Sequence, residues 1–391
     1  MNLPALRRIL LDLAGTGPTP DLAQLTEAAW AELDRIAGQH RLRPLLHAAH
    51  RDNPAIPTAI ADTWRAAHRD AALVGLLQQA DLAAAVRMLE AAGFAPVALK
   101  GAWLAAHAYP EAAQRPMRDI DLLVAPEHAI PAFEALLAAG YTQPVVSELS
   151  LADVLRFDKH MPPLISPRGT MIELHHRMWE RDGRLDHATP EGNEDAVRAR
   201  AVIDERGIRF PAGEDMLAHL IIHAIYSHRL DCGPLLLSDI DYLLRRETID
   251  WPQFWARAAR EHWRDGARLV LELVAHWRKG ASIDFSADPG PSAPAALLAS
   301  APDMLLQELT TRRSAGVLAV ALKDGVRGLA QRITGKRAAK GEEMVTREMD
   351  HEGGAMGWAA SRSWRTLTEL ARADVRRQSR GLAALSKWLD A

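Results

Sequence analysis

Asp119 and Asp121 stand two residues apart in DIDLLV, among Ile120, Leu122, Leu123 and Val124. On an extended backbone side chains alternate, so both carboxylates project from one face of a strand. The flanking residues are too apolar for an exposed strand, and two unpaired carboxylates at a core edge are costly. A divalent metal is the partner that answers this cost. Further along, TMIELH, Thr170 to His175, reads as a second strand carrying Glu173. Adjacent strands lie about 4.8 Å apart, so pairing of these two would set Glu173 beside the aspartates.

The whole chain bounds what such a site can serve. Its 391 residues suffice for two or three domains, and 48% hydrophobic with 25% charged residues is ordinary for a globular protein with a real core. A net charge of −3 gives no chain-wide basic character, so nucleic acid is not an expected partner and an anionic ligand must be met locally. The single cysteine, Cys232, rules out an internal disulfide framework and a cysteine-based zinc site. The opening MNLPALRRILLDLAG reads as an amphipathic helix, and no window approaches the roughly 20 uninterrupted apolar residues that span a bilayer. A cytoplasmic protein with no membrane span is the expectation.

Elements that would position the acids follow from the pattern. Residues 1–94 form an N-terminal helical region, broken by turn signals at Gly15 to Pro20 and Asn53 to Pro57. Within it HRLRPLLH, His40 to His47, reads as a helix with buried leucines and solvated arginines, and a long helix is expected from Asp70 to Ala92. A strand from Pro96 to Leu99, the Gly101 turn and a short helix lead to the Asp119 strand. A helix over Pro126 to Ala138, a strand over Tyr141 to Val146 and a further strand at Met161 to Ile165 complete an α/β core over 95–212. Residues 213–285 return to helices that pack on the core, and 286–391 form a linker and a basic helical region. Arg312, Arg313, Lys323, Arg327, Arg332, Lys336, Arg337 and Lys340 read there as a solvated face.

Lys100-Gly101, Arg115 and Met117, DIDLLV and the ELH strand together resemble an uncharacterised bacterial nucleotidyltransferase family within the polymerase-beta-like superfamily. The resemblance spans about residues 25 to 280 and includes the HRLRPLLH, HLIIHA and SDIDYLL helices. It implies an α+β fold, a small mixed β-sheet nucleotidyltransferase core flanked by N- and C-terminal helical layers. Two departures stand out. Ala102 occupies the place where the superfamily usually has Ser, and the spacer from Trp103 to Arg118 is long.

The resemblance implies metal-dependent transfer of a nucleoside monophosphate from an NTP, ATP by expectation, to an acceptor such as a peptide, glycan or small molecule. Asp119, Asp121 and Glu173 are then the catalytic and metal-binding residues, with Mg2+ or Mn2+ as the ion. Glu173 would complete the metal's shell or act as base toward the acceptor. Lys100, Gly101, Ala102, Arg115 and His175 are the nucleotide-binding candidates. Gly101 would offer backbone N–H groups to phosphate where a side chain would intrude. Arg115 would reach the β or γ phosphate, while Lys100 has the alternative of pairing with the aspartates. A catalytically weak nucleotide-binding or partner-docking protein on the same fold is the competing reading.

Other histidines read as structural. His219 and His223 are one helical turn apart, without an HExxH glutamate, and His228 does not share their face on an α-helix. GxGxxG, GxxxxGK[ST] and GxSxG motifs are missing, and with them the usual residues of dinucleotide oxidoreductases, P-loop NTPases and α/β-hydrolases.

Overall fold

Caps and periodicity explain the N-terminal helices of the structure, a computed structural model that describes residues 1–144, 149–179, 194–288, 290–325 and 372–390. Asn2 and Thr26 cap α1 (Leu3–Ala14) and α2 (Glu27–Gln39) by accepting from Ala5 and Ala29 N–H. After α3 (Arg43–His50) comes α4 (Thr58–Ala91), which starts well before the expected Asp70. The reason lies in Trp64: it is buried and its indole N–H donates to Asp34 at 2.9 Å, so the extra turns are held by packing.

By length and composition alone α4 could cross a membrane, with a window of mean hydropathy 1.3, but Gln78, Gln79, Asp81 and Arg87 break it up, so it is not the uninterrupted apolar run that the sequence was expected to lack. Buried polar groups argue against a span. Gln78 donates to the Met117 carbonyl, and Asp81 accepts from Ser166 and pairs with Arg168, so α4 is tied to the loops of the sheet.

Gly93, at φ +88°, turns the chain out of α4 into β1 (Val97–Ala98). α5 (Gly101–Trp103) runs directly into a π turn, Leu104–Ala108, and β2 (Asp119–Leu123) follows. Next come α6 (Ala129–Ala138), α7 (Leu151–Phe157), β3 (Leu164–Ile165) and β4 (Met171–His175), then α8 (Glu194–Ala199), β5 (Val202–Ile203) and β6 (Arg209–Phe210). The six strands form one mixed sheet ordered β3-β4-β2-β1-β6-β5, in which β2–β4 and β1–β6 are parallel. Of the strand expected over Tyr141 to Val146, Thr142 makes a single bridge to Ile165, and Val145 and Val146 lie outside the described residues.

Alternation sorts the two central strands. Ile120 and Leu122 of β2, with Ile172 and Leu174 of β4, enter a core with Leu82, Val86 and Leu89 of α4 and Phe133 and Leu136 of α6. Asp119, Asp121, Glu173 and His175 therefore share the opposite face. The parallel register makes Asp121 and Glu173 direct neighbours.

α9 (Gly213–Ile222) continues into a second π turn, His223–Ser227, and is followed by α10 (Leu235–Leu244), α11 (Trp251–Arg260) and α12 (Arg264–Trp277). α9, α10 and α12 pack on one another, and α10 packs on the 104–108 turn. The chain divides into two compact units, Met1–His228 with Pro234–Ala293, and Arg229–Gly233 with Pro294–Ala391. The second contains α13 (Ala295–Leu305) packed on α14 (Ala373–Leu389). Of the basic residues expected on a solvated face there, Arg312 pairs with Asp231 and Lys323 with Asp390. Arg327, Arg332, Lys336, Arg337 and Lys340 lie outside the described residues.

Candidate active site

The acids are brought together by register rather than by sequence spacing. Along a strand, positions two apart are separated by about 6.5 Å, whereas neighbours across a ladder are about 4.8 Å apart. Accordingly the group whose ligand atoms all lie within 4.8 Å of one another is Asp121, Glu173 and His175. Asp119 stands outside that group. It stays close enough that, after burial, the charges of Asp121 and Glu173 are what raise its carboxyl pKa.

His175 sits between the two inner carboxylates, with Nε2 at 2.9 Å from Asp121 Oδ1 and 3.4 Å from Glu173 Oε2. Burial alone would favour its neutral form; the Asp121 carboxylate outweighs it and the imidazole pKa is raised. Burial would likewise raise the Asp121 carboxyl, but Lys100 Nζ at 3.1 Å and His175 hold it well below the usual range. Glu173 is lowered against burial by His175 and by His160, whose Nε2 lies 3.8 Å away. Histidines thus meet Glu173, while the nearby arginines are engaged elsewhere: Arg168 binds Asp81, and Arg177 donates to the Leu155 and Arg156 carbonyls.

Lys100 reaches Asp121 from a strained position. Its φ of +44° and ψ of −113° lie where L-residues rarely sit, at a cost on the order of 1–3 kcal/mol. Gly101 follows, and a Cβ there would lie 3.1 Å from Met117 Cγ and Sδ and 3.3 Å from Arg115 Nη1. The space that the sequence reading reserves for phosphate beside this Cα is filled by the chain's own side chains. Ala102 is buried in the sheet core, so a hydroxyl at this position would need a buried partner.

Arg115 is elsewhere engaged. Its Nε and Nη2 donate to Asp239 of α10 at 2.8 and 2.9 Å in a two-pronged pair, and Tyr109 donates its hydroxyl to the same carboxylate at 2.7 Å. With its side chain 13% exposed, Arg115 fixes the loop before β2 against α10 instead of standing free for a phosphate. Asp239 escaped the sequence reading because its partner lies 124 positions away. The DID of SDIDYLL was the available signal.

Three more histidines border the site. His219 of α9 is fully buried and stacks at 5.1 Å on Trp179; after burial, the charges of Lys100, Asp121, His175 and Lys159 act on its ring, which stays neutral with its pKa well below the usual imidazole value. His223 is lowered by burial, then by Lys100. His228 meets His223 with Nε2 atoms 3.0 Å apart, which an α-helical reading of the sequence misses.

The donor set fits a divalent ion. Two carboxylates and one imidazole converge, Lys100 reaches Asp121 and His160 reaches Glu173 from outside the group, and Asp119 stands alongside on the same face. Comparison with curated proteins and with solved structures gives no match. A family model described as "uncharacterised nucleotidyltransferase" does match, over residues 26–279, which include every strand of the sheet, the acidic group, and Lys100, His219 and Asp239. An acidic group at paired strands behind a strand–Lys-Gly–helix turn, within a match spanning most of the chain, leads to one assignment: the protein belongs to this nucleotidyltransferase family.

Proposed function

We propose that the protein transfers a nucleoside monophosphate from an NTP, ATP in the first instance, to a hydroxyl of a peptide, glycan or small molecule, using Mg2+ or Mn2+. The observation that carries this reading is the register of Asp121 beside Glu173, with Asp119 on the same face. Asp121 and Glu173, with His175 or Asp119, hold the metal; the bound ion supplies charge neutralisation for the phosphates and a lowered pKa for the acceptor hydroxyl. Glu173, the more exposed of the two inner acids, faces the acceptor and takes its proton. Lys100 compensates the charge of Asp121 and, were that carboxylate engaged by a metal, would be available to a phosphate oxygen.

The test is transfer of α-labelled NTP with magnesium onto candidate acceptors, together with pyrophosphate release. Asp119→Asn with Asp121→Asn is expected to abolish magnesium-dependent nucleotide binding while the fold persists; unchanged affinity removes the reading. A binding-only protein is favoured by one observation, the commitment of Arg115 to Asp239. Nucleotide binding with no pyrophosphate across varied acceptors selects that alternative.

A further inference from the structure

On a straight α-helix, positions five apart point about 140° away from each other. His223 and His228 escape this because the chain between them winds as a π turn, closed by the His228 N–H on the His223 carbonyl at 3.1 Å. The wider turn brings the two rings together at a 50° tilt, with centroids 4.2 Å and Nε2 atoms 3.0 Å apart. His219, a turn earlier, lies 6.1 Å from His223 by ring centroid. The three imidazoles follow one another from α9 through the π turn, and the charge of Asp121 reaches the first of them.

Two features of the row point to a ligand. Neither ring nitrogen of His219 has a hydrogen-bond partner, although the residue is wholly buried, and such a group is costly unless something binds it. Lys100 and Lys159 both act electrostatically on His219 and His223; Asp121 opposes them at His219, while every charge that acts on His223 is of the lysines' sign. Lys159 is itself largely buried, and its carbonyl accepts from His176 and Arg177 N–H at the end of β4, which fixes its backbone beside the site. Two ammonium groups would repel a metal ion, so the row is suited to an anion. Imidazole N–H groups and lysines in a dry setting match the oxygens of a phosphate chain.

We propose that His219, His223 and His228, with Lys100 and Lys159, receive the triphosphate of the nucleotide, in place of Arg115, which Asp239 retains. This rests on the nucleotidyltransferase reading. The acids would then hold the metal that neutralises the reacting phosphate, and the row would receive the oxygens of the remaining phosphates.

The probe is inorganic tripolyphosphate with magnesium, titrated calorimetrically into the full chain. His223→Leu and His228→Leu are each expected to weaken tripolyphosphate at least about tenfold, the loss typical of a hydrogen bond to a charged group, while binding of adenosine is unchanged. A second measurement needs no variant: in the wild-type chain the ring nitrogen resonances of the three histidines should shift on adding tripolyphosphate. If tripolyphosphate binds but the resonances stay fixed, or well-folded variants bind within twofold of wild type, the row is not the phosphate site and the nucleotidyltransferase reading stands. If the wild-type chain binds neither tripolyphosphate nor any NTP, both fall.

Discussion

Glu173 is the residue on which the chemistry turns, because it adjoins Asp121 in register yet is not locked by an arginine. Under the proposed function, Glu173→Gln keeps the nucleotide, since Asp119 and Asp121 retain their charges, but loses the acceptor's base. Turnover is expected to fall by about 10² or more with little change in nucleotide affinity, measured by single-turnover transfer and equilibrium binding. A loss of melting temperature with full activity per folded molecule would instead make Glu173 a structural partner of His160 and His175. Asp119 differs in kind: burial first, and then the charges of Asp121 and Glu173, raise its carboxyl pKa against Lys100 and Arg41, and a ligand that binds only the folded state stabilises it by about 2.7 kcal/mol at a hundredfold excess over Kd. Magnesium or manganese should therefore raise the melting temperature.

At the scale of elements, the Arg115–Asp239 pair fastens the loop before β2 to α10, with Tyr109 as a third member. Asp239→Asn strands a buried guanidinium, and breaking such a pair costs about 3–5 kcal/mol. Chemical denaturation should show that loss; a change below about 1 kcal/mol would mean that Arg115 is free to serve elsewhere. The pair also marks where sequence reading stops. Period-two patterning made DIDLL and MIELH legible as strands and placed their acids on one face, and the family resemblance supplied the surrounding layers. Their parallel register was not legible, since it depends on a crossover between the two strands and on packing under α4 and α6. β5 and β6, two residues each, carry no periodicity. A period of 3.6 turns His228 away from His223 where the chain in fact winds more widely, and nothing near Arg115 in sequence points to its carboxylate, which lies in a distant helix.

For the whole molecule, buried histidines of opposite sign shape stability against pH. His219 and His223 are held well below the usual imidazole value, and His176 is lowered to about 4, in each case chiefly by burial. Unfolded, they take protons near pH 6.5; folded, they resist until lower pH, so the unfolded state binds more protons and stability falls as pH drops below about 6.5. His175 has the reverse sign: its raised pKa gives a contribution complete below about pH 6.5 and lost as pH rises through its folded value. Melting temperature should decline on both sides of neutrality. His175→Gln should flatten the alkaline side, and His219→Gln with His223→Gln should make the acid side shallower, the remainder coming from His176 and the depressed carboxyls of Asp121 and Glu173; an acid side as steep as in the wild type would contradict the assignment. The parallel pairing of β2 with β4 has a consequence in time. His175 lies 54 positions after Asp121, so a chain emerging from the ribosome displays both aspartates, with Lys100, long before the strand that carries Glu173 and His175 exists. Until Met171–His175 arrives, Asp121 has Lys100 but not His175 to meet it, and the order of synthesis makes closure of the acidic group a late event in the birth of the molecule.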